Sequence, residues 1–165
     1  MSISFNLPKI VEMVAFDNQL SFVDAILKIF NNDFLNSNNR PKFNGQKVFL
    51  KKSPKCLFNG TEYDWSFYHI ITKESTISKI REFDQDRAER IPYPRHFIDQ
   101  ATTLKVWTKP DGGDRLKYYI CDDSFEYMVI LSERKNYIML LSGFPLGKSY
   151  SLKMQKEYKN YKNSP

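Results

Sequence analysis

The chain has 165 residues, of which 41% are hydrophobic and 15% are aromatic. This length and apolar content suit one domain whose core needs no disulfide bridges, and the net charge of +6 favours polyanionic partners. No run of about 18 apolar residues is present and the first residues lack a basic and apolar leader, so we expect neither a membrane span nor a secretion signal. Cys56 and Cys121 are far apart, so we expect reduced thiols, no metal site and a cytoplasmic protein.

Two helices are predicted within residues 1–40. Pro8 suits the first turn of a helix, and apolar residues follow it at helical spacing. The second helix has a clearer signal, because Asn18 or Ser21 can cap its start and an apolar stripe follows. That stripe consists of Phe22, Ala25, Ile26, Ile29, Phe30 and Phe34. A polar, turn-rich run at 36–41 predicts its end, so this helical segment either covers a sheet or forms a small accessory lobe.

The next part of the chain alternates between strand and turn signals. Residues 47–52 (KVFLKK) predict a short strand, and the Asn-Gly pair at 59–60 predicts a turn. Residues 65–72 (WSFYHIIT) predict a second strand, and neither of its faces is polar, so we expect burial on both sides. A short helix is predicted at 84–90, and the prolines within 92–94 predict its end.

The remainder predicts a β-meander and a final helix. Four apolar segments are separated by short turns, at 103–109, 115–122, 126–134 and 136–146. Short turns predict antiparallel neighbours, and the Lys-rich segment at 150–161 predicts a helix. We therefore predict an α+β fold, with N-terminal helices followed by an antiparallel four- to five-stranded sheet and a C-terminal helix. Residues 41–165 are expected to form the α+β domain, in one compact unit with residues 1–40.

Candidate functional residues are densest at 63–95. This stretch contains His69, the first of two histidines, followed by Lys73 and Glu74. Four arginines close it, namely Arg81, Arg87, Arg90 and Arg95. An apolar anchor, a titratable ring and a cluster of cations therefore lie close together in sequence, which predicts a functional site here.

Several segments, taken in order, resemble a known family. They are the aromatic-flanked histidine at 66–72 (SFYHIIT), the basic run at 87–94 (RAERIPYP), the strand at 105–107 (KVW) and, after two hydrophobic strands, the ending at 137–145 (YIMLLSGFP). This order resembles the phage-associated branch of the barnase–EndoU–colicin–RelE fold, whose members are small metal-independent ribonucleases and toxins. The resemblance covers roughly residues 45–158 and leaves out the helical N-terminus.

The resemblance implies an active site on the concave face of an antiparallel sheet. By position, His69 is the early histidine, Arg87 and Arg90 are the basic pair, and Ser142 is the late hydroxyl where many relatives have threonine. It also implies RNA as the substrate and a toxin-like protein of a phage or mobile element, acting in the host cytoplasm. A host protein or an antitoxin protein is the further partner that such a role implies.

Cleavage of RNA by its own 2′-OH requires a base, an acid and a cation that stabilises the charged phosphorane. His69 suits the base or the acid, because the unperturbed pKa of histidine is about 6.5. Arg87 and Arg90 suit the third role, since a guanidinium stays charged and binds phosphate through two N–H groups. Ser142 can donate a hydrogen bond to a phosphate oxygen, and Glu74 is an alternative base.

A second group of residues is expected to contact the substrate, namely Tyr93, Lys73, Lys148 and Tyr150. Bases could stack on Tyr93, and Tyr68 and Trp107 are further candidate platforms. The sequence has no glycine-rich phosphate loop, no nucleophile elbow, no paired-cysteine zinc spacing and no HExxH motif, so we expect no cofactor and no metal ion.

Each of these residues also has a structural explanation. His69 could be buried by the packing of its own segment, and Arg87 and Arg90 could pair with Asp84 or Asp86 on one helix face. At the level of function, the alternative is an inactive relative. Such a protein would use the same concave face to bind RNA or a host protein, as an anti-defence or immunity-type module.

Overall fold

The computed structural model describes residues 5–165. Its helices are α1 (Gln19–Leu35), α2 (Trp65–Ile71), α3 (Gln85–Glu89), α4 (Tyr93–Asp99) and α5 (Lys148–Asn163). Its strands are β1 (Lys42–Phe43), β2 (Gln46–Leu50), β3 (Cys56–Phe58), β4 (Thr61–Tyr63), β5 (Thr72–Glu74), β6 (Arg81–Phe83), β7 (Lys105–Pro110), β8 (Leu116–Cys121), β9 (Tyr127–Glu133) and β10 (Ile138–Pro145). The α+β fold predicted from the sequence, with a helix first and a helix last, is confirmed.

The main sheet has six strands in the order β1-β2-β10-β9-β8-β7. Strands β7 to β10 follow one another antiparallel, which confirms the predicted meander. The sheet is mixed, however, because β10 also pairs in parallel with β2, where Ile138 is opposite Val48. The prediction of a four- to five-stranded antiparallel sheet is therefore corrected to a six-stranded mixed sheet. Most of the chain separates β2 from β10, so no short turn fixes their relative direction.

Helices cover both faces of the sheet. On one face, α1, α2 and α4 contribute to the main core, which includes Phe30, Phe67, Phe97, Val129 and Leu140. On the other face, α5 contributes Met154 to a smaller cluster with Trp107, Cys121, Phe125 and Met128. Because α1 belongs to the main core, it is a cover for the sheet and not a separate lobe.

The start of α1 is fixed by reciprocal capping. The side-chain oxygen of Asn18 accepts the N–H of Ser21 at 2.8 Å, and the Ser21 hydroxyl accepts the N–H of Asn18 at 3.3 Å. This confirms the second predicted helix. The first predicted helix is wrong, since only a 3-10 turn forms at Met13–Ala15. The N–H of Val11 instead donates to the carbonyl of Glu89 at 2.8 Å, which ties this segment to α3.

Residues 65–71 form α2 and not the predicted strand. Phe67, Ile70 and Ile71 are buried, and their spacing of three and four residues places them on one side of a helix. Trp65 and His69 lie on the other side of the same helix and are only half-buried. Their aromatic rings put large side chains on both sides of the run, which is why the sequence pattern resembled a strand buried on both faces.

The helix predicted at 84–90 is confirmed as α3, whose first turn is capped by the Asp84 carboxylate at 2.9 Å from the N–H of Arg87. The following prolines do more than end it, since they lie at the start of α4. Proline fits there because the first turn of a helix leaves its N–H groups unpaired. The predicted C-terminal helix is confirmed as α5.

Gly143 lies at a close approach between β10 and the helical layer. A Cβ added there would be 2.7 Å from the hydroxyl oxygen of Tyr127 and 3.1 Å from the ring of Pro94. The Tyr127 hydroxyl is itself buried, and it has no hydrogen-bond partner within the described part of the chain. The side chain of Tyr127 therefore excludes any residue larger than glycine at position 143.

We expect Gly143→Ala to lower the free energy of unfolding by about 1–3 kcal/mol, because the new methyl group overpacks this contact. Tyr127→Phe removes both the colliding oxygen and an unpaired buried hydroxyl, so it should cost little or stabilise the protein. The double variant should then be more stable than the two single effects predict. Urea unfolding of the four proteins measures this coupling, and strict additivity would contradict the contact.

Candidate functional site

The site begins with a ring pair on α2. The imidazole of His69 stacks on the indole of Trp65, with 3.7 Å between ring centroids and 19° between planes. Nδ1 of His69 lies 2.9 Å from the carbonyl oxygen of Trp65. Because a carbonyl only accepts, Nδ1 carries the proton of the neutral ring and Nε2 carries the lone pair. Nε2 has no hydrogen-bond partner among residues 5–165 and is not among the buried unpaired atoms.

The surroundings of His69 favour its neutral form. Partial burial lowers the pKa of the ring below its ordinary value of 6.5. The positive charges of Arg81, Lys51 and Arg87 lower this pKa further, while the hydrogen bond to the Trp65 carbonyl opposes the shift. A lowered pKa leaves the ring deprotonated at neutral pH, so Nε2 is able to accept a proton.

Two arginines converge on the C-terminal end of α2. Nη2 of Arg81 donates to the carbonyl of Thr72 at 2.7 Å and to that of His69 at 3.1 Å. Nη1 of Arg87 donates to the same Thr72 carbonyl at 2.9 Å. Cations at this end complement the negative pole of the helix. The β5–β6 hairpin supplies Arg81 and α3 supplies Arg87, so three separate elements meet here.

Neither guanidinium has a carboxylate within 4.0 Å among the described residues. Burial lowers the pKa of Arg81 and of Arg87, and the two like charges repel each other around one shared acceptor. Nη1 of Arg81, together with Nε and Nη2 of Arg87, makes no hydrogen bond within residues 5–165. Asp84 and Glu74 offset part of this charge from beyond 4.0 Å, since they raise the pKa of Arg87 and of Arg81 respectively. The unused donors at one place suit a phosphate group.

Aromatic rings and cations alternate on either side of the arginine pair. The ammonium of Lys51 lies 4.2 Å from the ring centroid of Trp65, and the guanidinium of Arg87 lies 4.9 Å from that of Phe144. The ring of Phe144 is 6.0 Å from that of Tyr150 at the start of α5. Half-buried rings next to cations are the groups on which unpaired bases stack beside their phosphates.

Ser142 lies on the same face of β10 as Phe144. A bulge after Leu140 shifts the register, so that Ser142 is opposite Ile130 and Phe144 is opposite Met128. Ile130, Met128 and Phe144 all belong to the cluster under α5. The half-buried Ser142 therefore lies on the α5 side of the sheet, with the Phe144 ring that Arg87 covers. The structure does not bring Ser142 together with His69, because α2 packs on the opposite side of the sheet.

Arg90 and Tyr93 do not join this cluster. Arg90 is bonded to the carboxylate and the carbonyl of Asp86, one turn earlier. Tyr93 is buried, and its ring packs against Phe97 and Tyr127. The structure thus corrects two predictions, since the partner of Arg87 is Arg81 and the ring of Tyr93 is not accessible to a base.

The other predicted site residues lie around the edge of the cluster. Glu74 and Lys73 are exposed on β5, where Glu74 is opposite Arg81, and its charge raises the pKa of that guanidinium. Lys148 and Tyr150 are exposed in the first turn of α5. Trp107 is a correction, because its ring is buried and its Nε1–H donates to Glu157 at 2.9 Å.

Sequence reasoning did not assign a role to Arg81, Lys51 or Phe144. Arg81 was visible within the arginine-rich stretch, but only the hairpin that pairs Thr72 with Phe83 brings it to α2. Lys51 and Phe144 had no local signal, because each belongs to an ordinary strand pattern.

Comparisons with known protein families, with curated proteins and with solved structures find no match to this chain. Within residues 5–165, no helix is both long and apolar enough to cross a membrane. No group of three or more His, Cys, Asp or Glu side chains in the same range is arranged to hold a metal ion.

Titration by NMR tests the electrostatics of the site. We expect His69 to titrate below 6.5, and we expect its neutral ring to carry the proton on Nδ1 in long-range ¹H–¹⁵N spectra. Inorganic phosphate should raise this pKa, because an anion between Arg81 and Arg87 offsets the charges that repel the imidazolium. Sodium nitrate at the same ionic strength is the control. If phosphate changes the pKa of His69 no more than nitrate does, the anion site is contradicted.

Proposed function

We propose that the protein is a metal-independent endoribonuclease of the barnase–EndoU–colicin–RelE type. The observation that carries this proposal is a neutral His69 with a free Nε2, next to Arg81 and Arg87, which have no carboxylate partner in the described chain. The order of sequence motifs that resembles the phage-associated branch of this fold supports the same conclusion.

In this proposal His69 is the base. Its Nε2 takes the proton of the 2′-OH while the 2′-oxygen forms a bond to the adjacent phosphorus. The bond from phosphorus to the 5′-oxygen breaks, and the leaving oxygen takes a proton from solvent water. The products are a 2′,3′-cyclic phosphate and a 5′-hydroxyl, and the imidazolium then releases its proton to solvent. Glu74 lies at the edge of the cluster and is the alternative base.

Arg81 and Arg87 stabilise the phosphorane. Their unused N–H groups bind the two non-bridging oxygens, where negative charge develops during the attack. Their bonds to the end of α2 hold both guanidiniums in place before the substrate arrives, so little reorganisation is needed. Ser142 has no part in this scheme, because it lies on the α5 face of the sheet and α2 packs on the opposite face. Side chains supply the base and the cations, solvent water supplies the proton for the leaving oxygen, and the scheme needs no metal ion.

The first prediction concerns His69. In excess chelator, the protein should cut a labelled single-stranded RNA to products with cyclic phosphate ends, and His69→Ala should reduce the rate by about 10²–10⁴-fold. The rate should fall with decreasing pH below 6.5, because protonation removes the lone pair of a ring whose pKa is lowered. His96→Ala is the matched control, since that ring bonds to the carbonyl of Asn6 outside the site.

Three results separate this enzyme from its rivals. Wild-type protein that binds RNA without cutting it is an inactive binding module, and the enzyme proposal is then wrong. Cleavage that chelator abolishes contradicts the metal-independent scheme. Equal loss in His69→Ala and His96→Ala, with folding intact by circular dichroism, contradicts the role of His69.

A second prediction concerns the arginine pair. Arg81→Gln or Arg87→Gln should lower the cleavage rate by about 10²–10³-fold, as expected for loss of one group that stabilises developing charge. Arg90→Gln is the matched control and should change the rate less than about threefold, because that guanidinium is paired with Asp86. Urea unfolding must accompany these assays, since both arginines also cap α2. If Arg90→Gln lowers the cleavage rate as much as Arg81→Gln does, the assignment of Arg81 to the phosphate site is contradicted.

A further inference from the structure

The outward side of α5 is an unusually uniform cationic surface. The helix contains five lysines, Lys148, Lys153, Lys156, Lys159 and Lys162, and one acidic residue, Glu157. All five lysines are exposed. Glu157 does not neutralise them, because its carboxylate accepts the Trp107 Nε1–H at 2.9 Å and pairs with Lys109 at 3.2 Å on the sheet side.

The packing of α5 separates its two sides. Met154 and Tyr158 contact the sheet, and at about 100° per residue Lys153, Lys156 and Lys159 lie on the opposite side with Lys148 at its edge. Lys162 is only about 40° around the helix from Tyr158, so it does not belong to this side. None of the five has a carboxylate within 4.0 Å in the described part of the chain. An ordinary solvated helix mixes both signs of charge, and this one does not.

The spacing of the lysines carries an energetic cost. Lys153, Lys156, Lys159 and Lys162 follow one another at intervals of three residues, so neighbours lie close on the helix surface. Like charges at this spacing destabilise a helix by roughly 0.2–0.5 kcal/mol per pair. A bound polyanion would turn this repulsion into attraction.

This surface is continuous with the candidate site. Tyr150 in the first turn of α5 is 6.0 Å from Phe144, whose ring lies under Arg87. From there α5 extends for 16 residues, or roughly 24 Å at 1.5 Å per residue. A strand whose phosphate lies between Arg81 and Arg87 could therefore continue along the lysines.

We propose that the lysine face of α5, defined as Lys148, Lys153, Lys156 and Lys159, binds the phosphate backbone of a single-stranded RNA. That the bound strand is RNA rests on the proposed function, whereas the surface itself stands on the geometry of α5. An anionic membrane is less favoured, because interfacial helices bury a broad apolar side. The apolar side of α5 is already packed on the sheet, and Leu152 is its one large apolar residue that is more than half exposed.

The test uses a fluorescent single-stranded RNA with 2′-O-methyl groups, so that binding is measured without cleavage. Replacing Lys153, Lys156 and Lys159 by glutamine should weaken binding at least tenfold at low salt. The slope of log affinity against log salt should become shallower by about 2, since each lost phosphate contact on a single strand contributes about 0.7. The control replaces Lys9, Lys28 and Lys47, which are equally exposed on other elements, and should change both values little.

The outcomes are distinct for the two proposals. Equal effects of the two triple variants overturn the α5 surface, because the loss then reflects net charge alone. Loss of binding to phosphatidylserine vesicles without loss of binding to the RNA also overturns it. If the α5 variant loses RNA binding but the wild-type protein never cuts RNA, the α5 surface stands and only the proposed ribonuclease activity fails.

Discussion

The feature on which the site depends is a pair of guanidiniums that share one carbonyl. Arg81 and Arg87 both bind the carbonyl oxygen of Thr72 at the end of α2, partly out of water and without a carboxylate within 4.0 Å in the described chain. Unpaired charge in such a place is costly, and proteins usually avoid it. Here the helix end offsets part of the cost, and the remaining charge lowers the pKa of His69 one turn away. Burial of the ring lowers that pKa most and the arginine charges add to it, so one local arrangement favours the neutral imidazole.

The fold holds this arrangement from several directions. The β5–β6 hairpin supplies Arg81, α3 supplies Arg87, and α2 presents His69 against Trp65. The hydroxyl of Ser66 donates to the carbonyl of Leu140 at 3.0 Å, which attaches α2 to the strand that carries Ser142. The site therefore lies at the edge of the sheet where β2 no longer pairs with β10. The N-terminal helix contributes through the core and not through any residue of the cluster.

Sequence alone predicted the parts of the fold that have strong local signals. The Asn18 cap with its apolar stripe, the meander with its short turns and the Lys-rich final helix each have a single consistent pattern. The run at 65–72 did not, because its aromatic residues fit a two-sided strand as well as a helix, and only burial of Phe67, Ile70 and Ile71 distinguishes them. Of the site, His69 and Arg87 were predictable by residue type. Arg81 was not, since its position depends on a hairpin and a helix end that meet in space, and Arg90 was favoured wrongly by its spacing from Arg87.

The most direct measurement is a crystal structure of the protein with a short RNA that carries a 2′-deoxy sugar at the cleavage position. We expect one phosphate within hydrogen-bond distance of both Arg81 and Arg87, with the 2′-carbon of the preceding sugar facing Nε2 of His69. We also expect the neighbouring bases to stack near Trp65 or Phe144. A strand bound elsewhere on the protein, or a His69 ring whose Nε2 faces away from the phosphate, would contradict the account.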